Sequence, residues 1–130
     1  MNRYLSLLAI PIIILTLSAN HAIGSNALTK DEAEKLLNGN TAEGVNTKFD
    51  KKMIWYFQEG GTLNKQNQAG KRGKAKWRID KKGQLCWMDK HMSDMDEKCE
   101  PIIPRDGGGY DANNGKWRFD KVLPGNPHNL

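Results

Sequence analysis

A mainly β fold, a small antiparallel barrel or sandwich with one short N-terminal helix, is what this sequence predicts. Three observations carry that expectation. Lys74-Ala75-Lys76-Trp77-Arg78-Ile79-Asp80 alternates charged and apolar residues without a break, the period-two signature of a strand with one face in a core. The pattern returns as Lys116-Trp117-Arg118-Phe119-Asp120. The remaining apolar runs are short and separated by Gly- and Asn-rich turns, which suits antiparallel hairpins. At 130 residues there is room for one domain. Doubly wound sheets with appended domains and large polytopic membrane proteins are too big.

The first element is not part of the domain. Met1-Asn2-Arg3 is a cationic start, residues 4–17 are nearly all apolar, and small and polar residues follow from Ser18. That order predicts a secretory signal peptide, with an apolar run too short to span a bilayer comfortably. Ala22-Ile23-Gly24 places small residues at the −3 and −1 positions, so cleavage is expected after Gly24, with Asn20-His21-Ala22 as the second site. No Cys follows the apolar run, which argues against a lipid-anchored form. The expected division is signal peptide 1–24 and one exported domain 25–130, with no membrane span after cleavage. Arg3 is the single charged residue removed, leaving 19 cationic against 15 anionic side chains.

Leu28-Thr29-Lys30-Asp31-Glu32-Ala33 reads as a helix start. Thr29 caps, Glu32 reaches back from the third position, and Leu28 packs onto Ala33. Ala33, Leu36 and Leu37 share a face and Gly39 stops the helix, which should lid a core rather than build one. Residues 53–57 form an aromatic run closed by Gly60-Gly61. Residues 74–80 and 84–88, joined at Lys82-Gly83, predict a hairpin. Asn114-Gly115 is the turn signal before the last alternating run. The size suits a lipocalin-like barrel. The two KWR echoes predict strands that solve one problem alike, with Trp77 and Trp117 inward and their cationic neighbours outward. Cys86 and Cys99 are the chain's two cysteines; in an oxidising compartment they should form a disulfide worth about 3 kcal/mol.

An ordered series of short motifs runs through the mature chain. It comprises Leu37-Asn38-Gly39-Asn40-Thr41 with Gly44, Tyr56-Phe57 before Gly61-Thr62, Gly73 and Trp77, Gly83-x-Leu85-Cys86, Cys99, and Val122-Leu123-Pro124-Gly125-Asn126. In this order the chain resembles a family of small exported proteobacterial proteins of unknown function. The resemblance implies an exported β-rich domain with a Cys pair, and no catalytic residue. Lys-rich loops stand here where that family carries acidic and Gly-rich ones.

For chemistry the residues offer little. Ser25 and Ser93 are the mature chain's serines, one at the terminus and one in a loop, so a Ser–His–Asp hydrolase has no candidate nucleophile. His91 and His128 show no spacing that would make them an acid–base pair. Carboxylates are scattered, and no P-loop, dinucleotide glycine pattern, haem attachment motif or calcium loop occurs. One constellation suggests metal: Met88, His91, Met92 and Met95 bring thioether and imidazole donors, which suit Cu(I), inside the disulfide loop beside Trp87. Asp89, Asp94, Asp96 and Glu97 make the same loop acidic and hard. A second constellation is cationic: Lys71, Arg72, Lys74, Lys76, Lys81 and Lys82 gather around the predicted hairpin, where they would attract an anionic envelope polymer, lipid headgroups or an acidic protein. Solvated, Lys-guarded strand edges explain the same residues. Export argues against nucleic acid as the target. The expectation is a non-enzymatic ligand- or partner-binding domain of the bacterial envelope. A periplasmic copper protein is the first alternative and a small hydrolase the second.

Overall fold

Thr29 and Glu32 open the first element as their spacing demands. The Glu32 carboxylate accepts from the Thr29 backbone N–H at 2.9 Å, and the Thr29 hydroxyl accepts from the Glu32 N–H at 3.3 Å. The computed structural model describes residues 26–89 and 96–130, and in it this capping box starts helix α1, Lys30–Leu37. Gly39, at φ +76°, ends the helix, and its N–H donates to the Phe57 carbonyl at 2.8 Å. Ala33 and Leu37 are fully buried.

The chain then runs through nine strands: β1 Asn40–Asn46, β2 Lys51–Phe57, β3 Thr62–Asn67, β4 Arg72–Ile79, β5 Leu85–Asp89, β6 Lys98–Glu100, β7 Ile103–Pro104, β8 Tyr110–Ala112 and β9 Trp117–Pro124. They form one curled, half-barrel sheet in the order β6-β5-β4-β3-β2-β1-β9-β8-β7, with every pairing antiparallel. Along nine strands of alternating direction the two edges, β6 and β7, point the same way. Only Pro101 and Ile102 separate them, so Glu100 and Ile103 lie within about 11 Å. Residues 98–104 are therefore one kinked strand that pairs first with β5 and then with β8. Pro101 and Pro104 lack the N–H that edge pairing with another chain would use. The kink points Ile102 into the core, where it is fully buried.

Register assigns the two faces. Phe57, Leu63 and Ala75 are matched across β2, β3 and β4, and Trp77 is matched with Trp87 across β4 and β5. These inner-face residues build the core with Trp55, Leu85, Trp117 and Phe119. Trp87 and Trp117 stand five strands apart in the sheet order, yet their rings are 5.0 Å apart. That contact is what curling achieves: the inner faces of β5 and β9 meet. Trp55 and Phe119 fill the space between, with centroids 5.1 Å apart. Among the described residues, these side chains occupy the interior.

The expected helix, the residue 74–80 hairpin with 84–88, the inward Trp77 and Trp117, and the Cys86–Cys99 disulfide all stand in the structure. The disulfide joins directly paired residues of β5 and β6 on the outer face. Strands β1 and β3 carry no apolar alternation that would announce them. The expected signal peptide, residues 1–24, lies outside the described residues. Among those described, no helix is long and apolar enough to cross a membrane.

Candidate anion-binding interface

Alternation along β4 decides where its cations go. Ala75 and Trp77 turn into the core, so Arg72, Lys74, Lys76 and Arg78 all project from the outer face, every one of them exposed. Two-residue steps along a strand space such side chains by about 6.6 Å. Arg78 is neutralised by Glu97, through Nη2–Oε1 at 2.5 Å and Nε–Oε2 at 3.0 Å. That fork holds the Glu97 carboxyl below the usual carboxylate range. No carboxylate among the described residues comes within ion-pair distance of Arg72, Lys74 or Lys76. Beside the row is a surface hollow of about 510 Å³ bounded by Gln58, Asn64, Arg72 and Lys74. Asn64 is buried and donates from Nδ2 to the Gln58 Oε1 at 3.3 Å. The hollow is lined by Arg72, Lys74 and Lys65 and by the Asn64 and Gln58 amides, donors suited to carboxylate or phosphate oxygens, together with Leu130.

The six cationic residues are spread along the β4–β5 hairpin rather than gathered at one point. Lys71 and Arg72 stand at the end of the barrel opposite α1, Lys74 and Lys76 lie along the outer face, and Lys81 and Lys82 occupy the β4–β5 turn at the α1 end. The eight residues of β4 span roughly 23 Å, and that length separates the two ends.

Of the methionine constellation, the described residues include Met88 alone, with Trp87 beside it. Trp87 faces inward, whereas Met88 is matched with Lys76 on the outer side, where it is buried. The indole and the Met88 thioether therefore lie on opposite faces of β5. Its ring is approached instead by Lys65 and Lys98, each Nζ 5.8 Å from a ring centroid. His91, Met92 and Met95 lie outside the described residues. Asp80 lies close to both cysteine sulfurs, but both belong to the disulfide and offer no thiolate.

Three features had no signal in the sequence. Lys65 points inward at the open end of the barrel and pairs with Asp89 at 2.7 Å. Trp55 Nε1 and Trp87 Nε1 are buried donors without a hydrogen-bond partner among the described residues, a cost the aromatic core carries. The C-terminal segment folds back across the outer face: the Thr41 hydroxyl donates to the Gly125 carbonyl at 2.7 Å, and Arg72 Nη1 donates to the Asn129 carbonyl at 3.2 Å. His128 Nε2 meets Glu43 Oε1 at 2.5 Å, and Lys121 Nζ lies 3.1 Å from the other oxygen. The His128 hydrogen bond first, and Lys121 with it, holds the Glu43 carboxyl below its ordinary range. His128 is thus engaged by the Glu43 carboxylate.

No family model matches the chain, and neither a curated protein nor a solved structure matches it.

Proposed function

We propose that this protein is an exported, non-enzymatic binding domain of the bacterial envelope that holds an anionic polymer along the outer face of β4. The observation that carries the reading is the row Arg72, Lys74 and Lys76, exposed, in line, and without carboxylate partners among the described residues. The cationic N-terminus, apolar run and small-residue cleavage pattern support export, and so does a disulfide, which persists in oxidising compartments. The side-chain-filled interior favours the outer face over a ligand inside the barrel. A phosphate- or carboxylate-bearing glycan presents repeated charges that a flat cationic strand can match, with an affinity that salt screens.

Retention on immobilised polygalacturonate, eluted with a salt gradient, tests this. The Lys74→Gln/Lys76→Gln variant should elute at clearly lower salt than the wild type. A Lys30→Gln/Lys35→Gln variant on α1 should elute with the wild type. Equal elution of the β4 variant and the wild type would refute the proposal.

A further inference from the structure

The end of the barrel opposite α1 carries a feature that the β4 row does not explain. Three neighbouring turns meet there: residues 47–50 between β1 and β2, 68–71 between β3 and β4, and 113–116 before β9. Hydrogen bonds join them into one rim. The Thr47 N–H donates to the Lys116 carbonyl at 2.9 Å and its hydroxyl to the Gly115 carbonyl at 2.7 Å. The Lys52 N–H donates to Gln68 Oε1 at 3.2 Å. The rim exposes Lys48, Lys51, Lys52, Lys71, Arg72 and Lys116, with Asp50 as the one carboxylate in these turns.

At its tip stands Phe49, with 62% of its surface exposed. The Lys48 ammonium lies 5.3 Å from its ring. The other large exposed apolar residue, Ile103, has a different setting, next to the Arg105–Asp111 pair that neutralises itself at 2.8 Å. Only at the Phe49 rim do an exposed aromatic ring and uncompensated cations coincide among the described residues. Between the turns is a hollow of about 300 Å³ bounded by Lys51, Asn67, Gln68 and Ala69, room for a phosphate headgroup.

We infer that this rim docks on the surface of a bilayer containing anionic lipid, with Phe49 entering the interfacial region and the lysines held at the phosphates. The aromatic ring supplies apolar burial at headgroup depth, the long lysine side chains keep their charges in the polar layer, and the surface potential attracts the cluster. The barrel then stands end-on, and the outer face of β4 remains clear at its side. The inference is tested apart from polymer binding, because Phe49, Lys48, Lys51 and Lys52 lie outside the β4 row and Arg72 alone is common to both.

Co-sedimentation with vesicles of phosphatidylcholine and phosphatidylglycerol, against vesicles of phosphatidylcholine alone, tests it. Wild-type protein should sediment with the anionic vesicles only. Phe49→Ala should weaken partitioning about tenfold, as expected for a partly inserted ring. Lys48→Gln/Lys51→Gln/Lys52→Gln should weaken it about a hundredfold, at roughly fivefold per cation. Lys74→Gln/Lys76→Gln should stay within about twofold of wild type, since those residues face sideways. Near-ultraviolet circular dichroism of each variant confirms that the aromatic core is intact. Wild-type binding by Phe49→Ala would overturn the inference. So would equal binding to both vesicle types, or displacement by soluble glycerol phosphate, which would mark a site for free anions.

Discussion

Gly44 shows how much a single residue can decide here. It lies on the inner side of β1, matched with Met53 and Phe119, where the β1–β9 register shifts. A Cβ at this position would stand 1.7 Å from the Arg118 carbonyl oxygen, which is backbone and cannot swing away. Gly44→Ala should therefore destabilise the fold by about 3 kcal/mol or more, the upper range for overpacking, read as a lower denaturant midpoint. Trp117 makes the opposite case: it touches both Trp55 and Trp87, so Trp117→Ala should cost about 3–5 kcal/mol. Its inward direction was readable from its charged neighbours. The inward direction of Lys65 was not, because a lysine inside a polar run gives no periodicity to read, and only its pairing with Asp89 shows why it is tolerated. Glu43 adds a pH dependence. Its folded carboxyl is held below the ordinary 4.5 by His128 first and by Lys121, so it contributes stability above that pH. The contribution is lost as pH falls below 4.5 and through the depressed value. In acid unfolding followed by tryptophan fluorescence, Glu43→Gln should show a shallower loss of stability over that window than the wild type.

Among the elements, those with a rule of their own were legible. α1 announces itself through Thr29 and Glu32, and the capping box forms as spaced; Thr29→Ala should cost about 1 kcal/mol, measurable by thermal unfolding. β4 and β5 were legible as a hairpin because alternation and the Lys82-Gly83 turn agree. β1 and β3 were not. Asn40-Thr41-Ala42-Glu43-Gly44-Val45-Asn46 has small inner residues because the core is supplied by Trp55 and Phe119 on either side, and β3 contributes Leu63 as its large core side chain. A strand flanked by neighbours with large aromatics needs no apolar pattern of its own, so tertiary packing takes over from local signal. The same reasoning explains the basic residues. Clustering along the sequence is not clustering in space once a strand spanning roughly 23 Å runs through the middle of the group.

At the scale of the molecule, closure depends on residues 98–104, a single kinked strand tied at its start to β5 by Cys86–Cys99. With a sequence separation of 13, the bond should be worth about 3 kcal/mol, and reduction should lower the unfolding midpoint accordingly. The pairing of the cysteines was legible from their number and the export that residues 1–24 predict; the sharing of one strand between two sheet edges was not, since it depends on where the whole sheet curls. The proposed polymer binding lies on the outer face of β4, away from the aromatic core. Mapping backbone amide shifts by nuclear magnetic resonance during titration with an oligogalacturonate tests that placement most directly. Perturbations should concentrate at Arg72, Lys74 and Lys76 and at Asn64 beside them, fading as salt is added. Perturbations confined to α1 and the β4–β5 turn, or to the inner-face tryptophans, would contradict it.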